Sequence, residues 1–315
     1  MGQQRNGGRD VTVSKALSLL LRHAAEKEGL KMDAQGYANV ADVLAWRKLK
    51  SLKVTFPEIV TAVATSDKKR FALLHIPSAN AQQSTTSTDE QPHTDHGVPT
   101  TSAGQDTATE TALSVSESDS DPSHFLIRAT QGHSIQSVDA ASFLEKLSLD
   151  EEDKLPDTVV HGTFHAVWPA ILSSGGLRCM GRNQVHFATG PSVDSVLARE
   201  AKGDEGEKVI SGMRRDAQVL IYIDLRRALA AGVPFWRSEN GVILSEGMIT
   251  EGQGDPTQKV VPMEFFEVVV EKHRGLGKLW ERGQEIQTLP EELIKHGNPK
   301  GRRTMEKKKK VHSQP

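Results

Sequence analysis

Six short polar motifs hold the arginine and histidine side chains that could do chemistry in this chain of 315 residues. An arginine binds anions through a planar, permanently charged fork, and a histidine can donate or accept a proton near neutral pH. Two of these motifs, Ile127–Ser134 and His161-Gly162-Thr163, fall at the end of a predicted strand, where dense polar groups are typical of functional sites. The motifs are Arg22-His23, Ile127–Ser134, His161-Gly162-Thr163, Arg182–Ala188, Ser211–Arg215 and Phe235–Leu244.

The sequence contains no recognisable metal or nucleoside-triphosphate motif. His161 and His165 stand four residues apart, but no glutamate lies between them and no third ligand cluster follows, so we expect no metal site. No Gly-x-Gly-x-x-Gly follows a predicted strand, and no phosphate loop ends in Gly-Lys-Ser or Gly-Lys-Thr. The single cysteine, Cys179, excludes an internal disulfide and is typical of a reducing compartment.

The net charge of −2 hides four segments of different composition. Residues 1–77 carry 13 basic and seven acidic residues, a charge of +6, whereas residues 78–123 carry eight acidic residues and no basic one. Residues 124–295 have a charge of −6, and residues 296–315 have a charge of +6. Basic blocks at both ends of an acidic chain favour a nucleic-acid partner, with solvated faces or disordered tails as the alternative.

Two segments have the composition of disordered chain. Residues 78–123 contain 18 serines and threonines and only three aliphatic side chains larger than alanine: Val98, Leu113 and Val115. Such a stretch buries too little apolar surface to offset the entropy of ordering it, so we predict a disordered acidic insertion. Residues 296–315, with four consecutive lysines, are predicted to form a disordered basic tail.

Hydrophobic periodicity predicts a small helical domain in the N-terminal block. Thr12 or Ser14 can cap a first helix with one apolar face, and Gly29 ends it. Two further helices, at about 40–49 and 57–65, and a strand at 70–74 follow. This order of elements suits a winged-helix-like module.

From residue 124 onward, short strands outnumber helices. The predicted strands are Phe125–Ala129, Val159–Gly162, Val185–Ala188, Val219–Asp224, Val242–Leu244 and Phe265–Val270. The predicted helices are Ala140–Leu147, Ala166–Ser173, Val193–Lys202 and Leu225–Ala230. Because the connections are irregular, we predict an α+β fold with a mixed or split sheet. No run reaches the roughly 20 apolar residues that span a bilayer, so we expect an intracellular protein of the cytoplasm or nucleus without membrane contact.

In this order, the motifs resemble the RNA (tRNA) 2′-phosphotransferase family, NAD-dependent enzymes of tRNA splicing. The resemblance covers residues 12–76 and 124–273, about two thirds of the chain. The residues that carry it are Ser14-Lys15-x-Leu17-Ser18-x-x-Leu21-Arg22-His23, Gly36-Tyr37, Arg70-Phe71, Ile127-Arg128-Ala129, Gln131-Gly132-His133-Ser134, His161-Gly162-Thr163, Arg182-Asn183, Val185-His186-Phe187, Ser211-Gly212-x-Arg214 and Ser238-x-Asn240-Gly241-Val242-Ile243-Leu244.

The resemblance implies an RNA-binding lobe at residues 12–77 and an ADP-ribosyltransferase-like, NAD-binding lobe at residues 124–275. Residues 1–11 are then a disordered N-terminus, and residues 276–315 an extension that ends in the basic tail. In the implied reaction, the splice-junction 2′-phosphate of ligated tRNA attacks C1″ of the nicotinamide ribose of NAD and expels nicotinamide. The ribose 2″-hydroxyl then attacks the phosphorus, releasing tRNA with a 2′-hydroxyl and ADP-ribose 1″,2″-cyclic phosphate. NAD is a co-substrate, no metal is implied, and we expect a monomer.

The resemblance also assigns residues to roles. The catalytic positions are Arg22, His23, Arg128 and Arg214. The NAD-binding positions are His161, Gly162, Thr163, Arg182, His186, Ser238, Asn240, Gly241 and Val242, and the RNA-binding positions are Lys15, Arg22, Arg70 and His133. Three guanidinium groups suit a phosphate dianion, which is already ionised at neutral pH and needs no general base. His23 can serve as general acid to the leaving 2′-oxygen or as a donor to a phosphate oxygen.

Two other functions stay open on the sequence. A non-catalytic RNA-binding module would use the basic blocks alone, and a protein or nucleic-acid ADP-ribosyltransferase would use NAD without a phosphorylated RNA. Val242 stands where protein-modifying relatives carry a glutamate, which disfavours the second alternative because a neutral nucleophile needs that carboxylate. Gln184, Thr130 and Phe164 depart from the family pattern, which bears on the contacts to NAD more than on the catalytic positions.

Overall fold

The computed structural model of the protein describes residues 7–66, 68–76, 102–200, 211–214, 216–250 and 259–295. The chain divides into two compact units. The first consists of Met1–Glu145 with the two short segments Gly181–Asn183 and Arg237–Asn240, and the second consists of the rest. None of the helices in the described ranges combines the length and the apolar character that crossing a membrane requires.

The first unit packs helices against a three-stranded antiparallel sheet. Its helices are α1 (Gly7–Leu19), α2 (Val40–Ala45), α3 (Arg47–Ser51), α4 (Phe56–Ala64) and α5 (Ser102–Val115), and its strands are β1 (Ala38–Asn39), β2 (Phe71–His75) and β3 (Phe125–Ala129). The sheet order is β1-β3-β2, so β3 lies in the centre. Leu17, Leu20 and Leu21 are fully buried in the core of this unit.

Several local predictions for the first unit need correction. The first helix begins at Gly7, ahead of the predicted caps Thr12 and Ser14, and it continues into a π-helical turn at Leu20–Ala24. The predicted second helix is interrupted at Trp46, whose extended backbone separates α2 from α3. The third helix is capped as its sequence indicates, because Thr55 and Glu58 form a reciprocal capping box.

The prediction that residues 78–123 are disordered is wrong for their C-terminal part. Residues 102–115 form α5, in which Ala112 is fully buried and Leu113 and Val115 pack against the core of the first unit. The Thr109 hydroxyl oxygen also accepts the backbone N–H of Leu73 in β2, at 3.3 Å. A helix needs only a narrow apolar stripe to dock, and alanine is the best helix former, so the low overall hydrophobicity misled the prediction. Residues 77–101 lie outside the described residues.

The second unit is built mostly from strands. Its strands are β4 (Glu145–Lys146), β5 (Val160–Thr163), β6 (Gly176–Arg178), β7 (Val185–Phe187), β8 (Val219–Ile223), β9 (Phe235–Arg237), β10 (Ile243–Ser245), β11 (Val260–Pro262), β12 (Phe266–Glu271), β13 (Gly277–Glu281) and β14 (Gln284–Glu285); Glu145 and Arg237 are counted with the first unit. Its helices are α6 (Trp168–Ser173), α7 (Val193–Glu200), α8 (Leu225–Ala230) and α9 (Glu291–Lys295).

These strands form three separate sheets. The orders are β14-β13-β12-β8-β5, β4-β9-β10-β7 and β11-β6. The β5–β8, β8–β12 and β7–β10 pairs are antiparallel, with His161 opposite Ile221 and Leu244 opposite His186. The combination of helices with several sheets that contain antiparallel strand pairs confirms the predicted α+β class. The more specific assignments, a winged helix and an ADP-ribosyltransferase-like lobe, stay predictions.

The predicted helix at residues 140–147 is also wrong. A single 3-10 turn, Ala140–Phe143, leads directly into β4. Phe143, Leu144 and Leu147 are all buried, and their spacing at i, i+1 and i+4 imitates a helical stripe. A turn followed by a strand gives the same pattern when residues of both are buried. Periodicity alone therefore could not distinguish a helix from a turn followed by a strand.

Candidate active-site residues

Arg22 and His23 lie in the π-helical turn at the end of the first helix. π-Helical turns are rare and occur often at functional sites. The loop that follows β3 holds this turn from outside: the backbone N–H of Ser134 donates to the Arg22 carbonyl oxygen (2.9 Å), and Ser134 Oγ lies 2.9 Å from His23 Nδ1. The motif after β3 therefore orients the two residues that the sequence placed at the helix end.

The hydroxyl of Ser134 also fixes the form of the neutral His23 ring. Ser134 Oγ donates to the Arg22 carbonyl oxygen at 3.4 Å, because a carbonyl can only accept. The same hydroxyl oxygen then accepts from Nδ1–H of His23, which leaves Nε2 as the unprotonated nitrogen. Burial, followed by the positive charges of Arg182 and Arg22, lowers the pKa of His23.

Arg128 is the large charged side chain at the centre of the first unit. It is 1% exposed, and its guanidinium lies 4.0 Å from the ring centroid of Phe143 and 4.8 Å from that of Tyr37. Nη1 donates to the carbonyl oxygen of Gln35 at 3.3 Å. A guanidinium held over two rings keeps one orientation, which suits its planar fork to binding two oxygen atoms of an anion.

A cationic cluster, defined as Arg22, His23, Arg70 and Arg182, forms beside the π-helical turn. Burial and then the charges of Arg182 and Arg70 lower the pKa of Arg22 to about 10. Arg22 therefore stays protonated at neutral pH while its neighbours repel it. Nε of Arg22 is buried and has no hydrogen-bond partner among the residues that the structure describes. Arg22 and Arg70 are partly buried, whereas His23 and Arg182 are exposed. Basic side chains held this close together are a favourable place for an anion with several oxygen atoms.

His133 is close enough to this cluster and to Arg128 for their positive charges to act on its imidazole ring. It is 2% exposed, and neither ring nitrogen has a hydrogen-bond partner within the described ranges. Burial, and then the charges of Arg22, Arg128 and His23, lower the pKa of His133 to about 3. The ring is therefore neutral at physiological pH, and its edge-on neighbour is Phe143, with ring centroids 6.0 Å apart. A buried imidazole without partners is costly for folding, which points to a role outside folding.

Two segments from later in the chain complete the first unit. The backbone N–H of Asn183 donates to the His133 carbonyl oxygen and its side-chain amide donates to the Ile135 carbonyl oxygen, both at 3.0 Å, which positions the neighbouring Arg182. Asn240 donates to the Lys68 carbonyl oxygen at 2.6 Å and accepts from Ser238 Oγ at 2.7 Å. Arg182, Ser238 and Asn240 thus belong to the first unit, although the sequence assigned all three to NAD. Of the catalytic candidates, Arg22, His23 and Arg128 belong to this unit as well. The fourth, Arg214, belongs to the second unit.

The remaining RNA-binding candidates differ in exposure. Lys15 is exposed on α1, away from the buried face of that helix. Arg70 is partly buried, and its Nη1 lies 3.4 Å from Ser66 Oγ. Thr130 holds the segment before Arg70, because its N–H donates to the Arg70 carbonyl oxygen and its hydroxyl donates to the Lys69 carbonyl oxygen.

In the second unit, two histidines present the same edge of their rings to the backbone. His161 Nδ1–H donates to the His186 carbonyl oxygen at 2.9 Å, and His186 Nδ1–H donates to the Gln184 carbonyl oxygen at 3.0 Å. Each neutral ring consequently has Nε2 as its acceptor. The His161 ring also meets Phe187 edge-on, with centroids 5.9 Å apart. The side-chain Nε2 of Gln184 is buried and has no partner among the described residues.

Two glycines bring these strands close together. Gly212 has φ +83°, and a Cβ there would lie 2.5 Å from the Phe187 carbonyl oxygen and 3.1 Å from Cγ1 of Val242. A Cβ on Gly162 would lie 2.8 Å from Cβ of Ala217. Both positions therefore require glycine for packing. Val242, which is fully buried, contributes to this core.

The other candidates of the second unit lie at its surface or in its turns. Arg214 is exposed, with its guanidinium 5.3 Å from the ring centroid of Phe164. Thr163 is buried in β5, and Gly241 has φ +77° with open space around the position of a Cβ. His165 turns away from His161 and hydrogen-bonds through Nε2 to the fully buried Glu271 at 2.9 Å, so these two histidines do not form a metal pair.

Sequence reasoning missed the residues that support Arg128. Gln35 and Phe143 are common residue types outside the motifs, and no signal in the sequence marked them. Tyr37 did stand in one of the quoted motifs, so its ring was the one available hint. The Lys68 carbonyl that Asn240 holds could be found only from the three-dimensional structure.

Comparison with known proteins gives one consistent result. The family model described as "RNA 2′-phosphotransferase, Tpt1 / KptA family" matches residues 8–247. The chain is 35% identical to human tRNA 2′-phosphotransferase 1 over 243 residues, which are 77% of this chain and 72% of the relative. It is 32% identical to tRNA 2′-phosphotransferase 1 of Danio rerio, covering 78% and 82% of the two chains. It is 33% identical to tRNA 2′-phosphotransferase of Saccharomyces cerevisiae, covering 77% and 81%.

Proposed function

Because the chain belongs to the RNA 2′-phosphotransferase family, we propose that it removes an internal 2′-phosphate from ligated tRNA by transferring it to NAD. The products are tRNA with a 2′-hydroxyl, nicotinamide and ADP-ribose 1″,2″-cyclic phosphate. This is the last chemical step of tRNA splicing, and the protein acts as a transferase with NAD as co-substrate.

The observation that carries this proposal is the cationic cluster together with His133, whose buried ring nitrogens have no hydrogen-bond partner in the described part of the chain. Arg22 is mostly buried, and the nearby charges that lower its pKa are themselves positive. A phosphate dianion accepts charge-assisted hydrogen bonds from several donors and removes this repulsion. Placing these positively charged donors together would stabilise neither the fold nor the binding of a neutral ligand.

Arg128 and Arg22 would hold the phosphate in the first step. The phosphate is already charged at neutral pH, so the contribution of the protein is position and orientation. Arg128 is suited to this because Phe143, Tyr37 and the Gln35 carbonyl fix its plane. His133 is neutral there and can donate one N–H without adding another charge.

His23 would act in the step that frees the 2′-oxygen of the RNA. Its Nδ1 is engaged by Ser134, so proton exchange has to occur at Nε2. Burial, and then the charges of Arg182 and Arg22, lower the pKa of His23 in the free protein, and a bound dianion would raise it. Binding of the phosphorylated RNA would therefore charge His23, either as general acid to the leaving oxygen or as donor to a phosphate oxygen.

The donor set of the second unit fits NAD. His161, His186 and Gln184 offer neutral polar groups, of which Gln184 Nε2 is a buried donor without a described partner. Gly241 leaves open space beside its backbone. Residues His161, Gly162, Thr163 and His186 would hold the dinucleotide, and Arg214 would be the catalytic arginine that this unit contributes. When bound, NAD supplies an electrophilic ribose carbon and nicotinamide as leaving group.

The test uses the full chain and a short RNA with one internal 2′-phosphate. We expect the phosphate to be lost only when NAD is added, with nicotinamide released in equal amount. A non-catalytic RNA-binding module would give salt-dependent binding and an unchanged RNA. A protein ADP-ribosyltransferase would instead transfer label from NAD to protein side chains. An RNA that keeps its 2′-phosphate while NAD stays intact would refute the proposal.

A further inference from the structure

We propose that His75, Asp119 and His124 form a binding site for one divalent transition-metal ion, such as Zn²⁺, outside the residues assigned to RNA and NAD. His75 Nε2, His124 Nδ1 and one carboxylate oxygen of Asp119 all lie within 4.8 Å of one another. Two imidazoles and a carboxylate are a common protein ligand set for zinc, which leaves a fourth position for water.

The distances are close to those that a metal requires. Asp119 Oδ2 lies 2.7 Å from His124 Nδ1 and 3.1 Å from His75 Nε2. Ligand atoms of a tetrahedral zinc site lie about 3.3 Å apart, given metal–ligand bonds of about 2.0 Å. Small side-chain rotations would therefore open the present hydrogen-bonded trio enough to admit the ion.

The backbone already holds all three ligands in place. His75 ends β2, His124 immediately precedes β3, and the N–H of Ile76 donates to the His124 carbonyl oxygen at 2.8 Å. Asp119 follows α5, and its N–H donates to the Val115 carbonyl oxygen at 2.9 Å. Side chains placed by regular elements lose little further freedom on binding, which favours affinity.

The carboxylate of Asp119 is divided between two tasks. Its Oδ1 accepts the backbone N–H of Asp121 at 3.0 Å, while Oδ2 faces both imidazoles. An aspartate side chain is ordinarily ionised at physiological pH. Oδ2 is consequently presented as a single charged ligand oxygen.

A second carboxylate lies near the outer nitrogen of one proposed ligand. Asp121 Oδ2 is 3.8 Å from His124 Nε2, the nitrogen that faces away from the site, which is an ion-pair distance and longer than a hydrogen bond. A small movement that shortened this contact would orient the ligating imidazole and increase its basicity. The three ligand side chains are between 22% and 29% exposed, so an ion and its water can enter from solvent.

The position of the ligands indicates what the ion would do. His75 precedes residues 78–123, and Asp119 belongs to the end of that segment. A metal ion would cross-link β2, the turn after α5 and the start of β3, and would fasten α5 to the sheet. The sequence did not reveal this site because His75 and Asp119 are 44 residues apart and no short motif contains them.

The experiment titrates Zn²⁺ into metal-free, full-length protein against a chelating indicator. We expect one ion per chain, and we expect Co²⁺ at the same site to give the absorption bands of tetrahedral coordination. Asp119→Asn keeps the size of the side chain and one oxygen that can accept the Asp121 N–H, but it removes the charge and replaces the other oxygen, the proposed ligand, by an NH2 group that only donates. Asp119→Asn and His124→Gln should each weaken binding by about 100-fold or more, and Asp121→Asn by about tenfold.

The matched control is the double variant His93→Gln/His96→Gln, which removes two histidines of the same acidic segment. It should bind Zn²⁺ as the unchanged protein does. Zn²⁺ should also raise the melting temperature of the unchanged protein and of this control, but not of Asp119→Asn. Absence of stoichiometric binding, equal affinity of Asp119→Asn, or loss of binding in the control would each overturn the proposal. None of these readouts depends on the transferase activity.

Discussion

Replacement of Arg128 by lysine tests whether geometry or charge holds the phosphate. Lysine keeps the positive charge but loses the planar fork and the contacts with Phe143 and Tyr37. One charge-assisted hydrogen bond contributes about 1.5–3 kcal/mol, and the stacking contacts add about 0.5–1 kcal/mol. The expected loss of about 2–4 kcal/mol corresponds to a decrease of roughly 30- to 900-fold in kcat/KM.

The assay follows the release of nicotinamide from NAD with the 2′-phosphorylated RNA at several RNA concentrations. Arg226→Lys is the matched control, because Arg226 is an exposed arginine paired with Glu152 on the surface of the second unit. It should keep the full rate. Both variants should melt within a few degrees of the unchanged protein. A folded Arg128→Lys protein with a rate within threefold of normal would refute the view that the orientation of this guanidinium matters.

Three further outcomes follow from the described contacts. His133→Leu removes two buried nitrogens that have no hydrogen-bond partner among the described residues, so the melting temperature should be equal or higher while turnover falls at least about tenfold. Because the pKa of His133 is about 3 in the folded protein, the unfolded chain takes up a proton first, and the free energy of unfolding should fall by up to about 1.4 kcal/mol per pH unit below about pH 6. Denaturant melts at pH 4 to 7 should show that this part of the pH dependence is absent from the variant. Gly212→Ala should lower the free energy of unfolding, measured by urea titration, by more than about 2 kcal/mol. The matched control Gly232→Ala, at a similar φ of +86° but with open space around the Cβ position, should lower it by about 1 kcal/mol. Equal losses in the two variants would contradict the packing argument. Deletion of residues 78–101 should leave the melting temperature and the activity nearly unchanged. A longer deletion, of residues 78–115, also removes α5 with the buried Ala112 and should lower the melting temperature by several degrees. Equal melting temperatures of the two deletion variants would show that α5 does not stabilise the first unit.

The sequence predicted the bounds of an element best where the residues of that element alone carry the pattern. The β3 strand, Phe125–Ala129, and helix α8, Leu225–Ala230, have the predicted bounds, because each combines one clear periodicity with a clear boundary. The three-residue strands β7 and β10 were predicted with a shift of about one residue, whereas β1 and β6 were not predicted. They are set by partners distant in the sequence and have too few side chains to show a period.

For the candidate site, the sequence supplied the chemical groups but not their supports. Arg22, His23, Arg128 and His133 were all identified from their motifs, and the structure places them in one unit. Their protonation could not be read from the sequence, because it depends on burial and on charges from Arg70 and Arg182 that arrive through folding. The partnerless state of His133 is likewise a property of packing.

The long sequence separation between Ser134 and the π-helical turn has a consequence for synthesis of the protein. Ser134 is 111 residues from His23, and the Arg182 segment that charges the cluster is made later still. Helix α1 can form early from local contacts, but Arg22 and His23 can be oriented only after the chain beyond β3 has left the ribosome. During most of its synthesis, the growing chain therefore has basic side chains that are separately hydrated. The cationic cluster, which can bind an anion, forms only when the first unit is nearly complete. Chains released before residue 134 would carry the helix and its basic residues without the capacity to hold a phosphate.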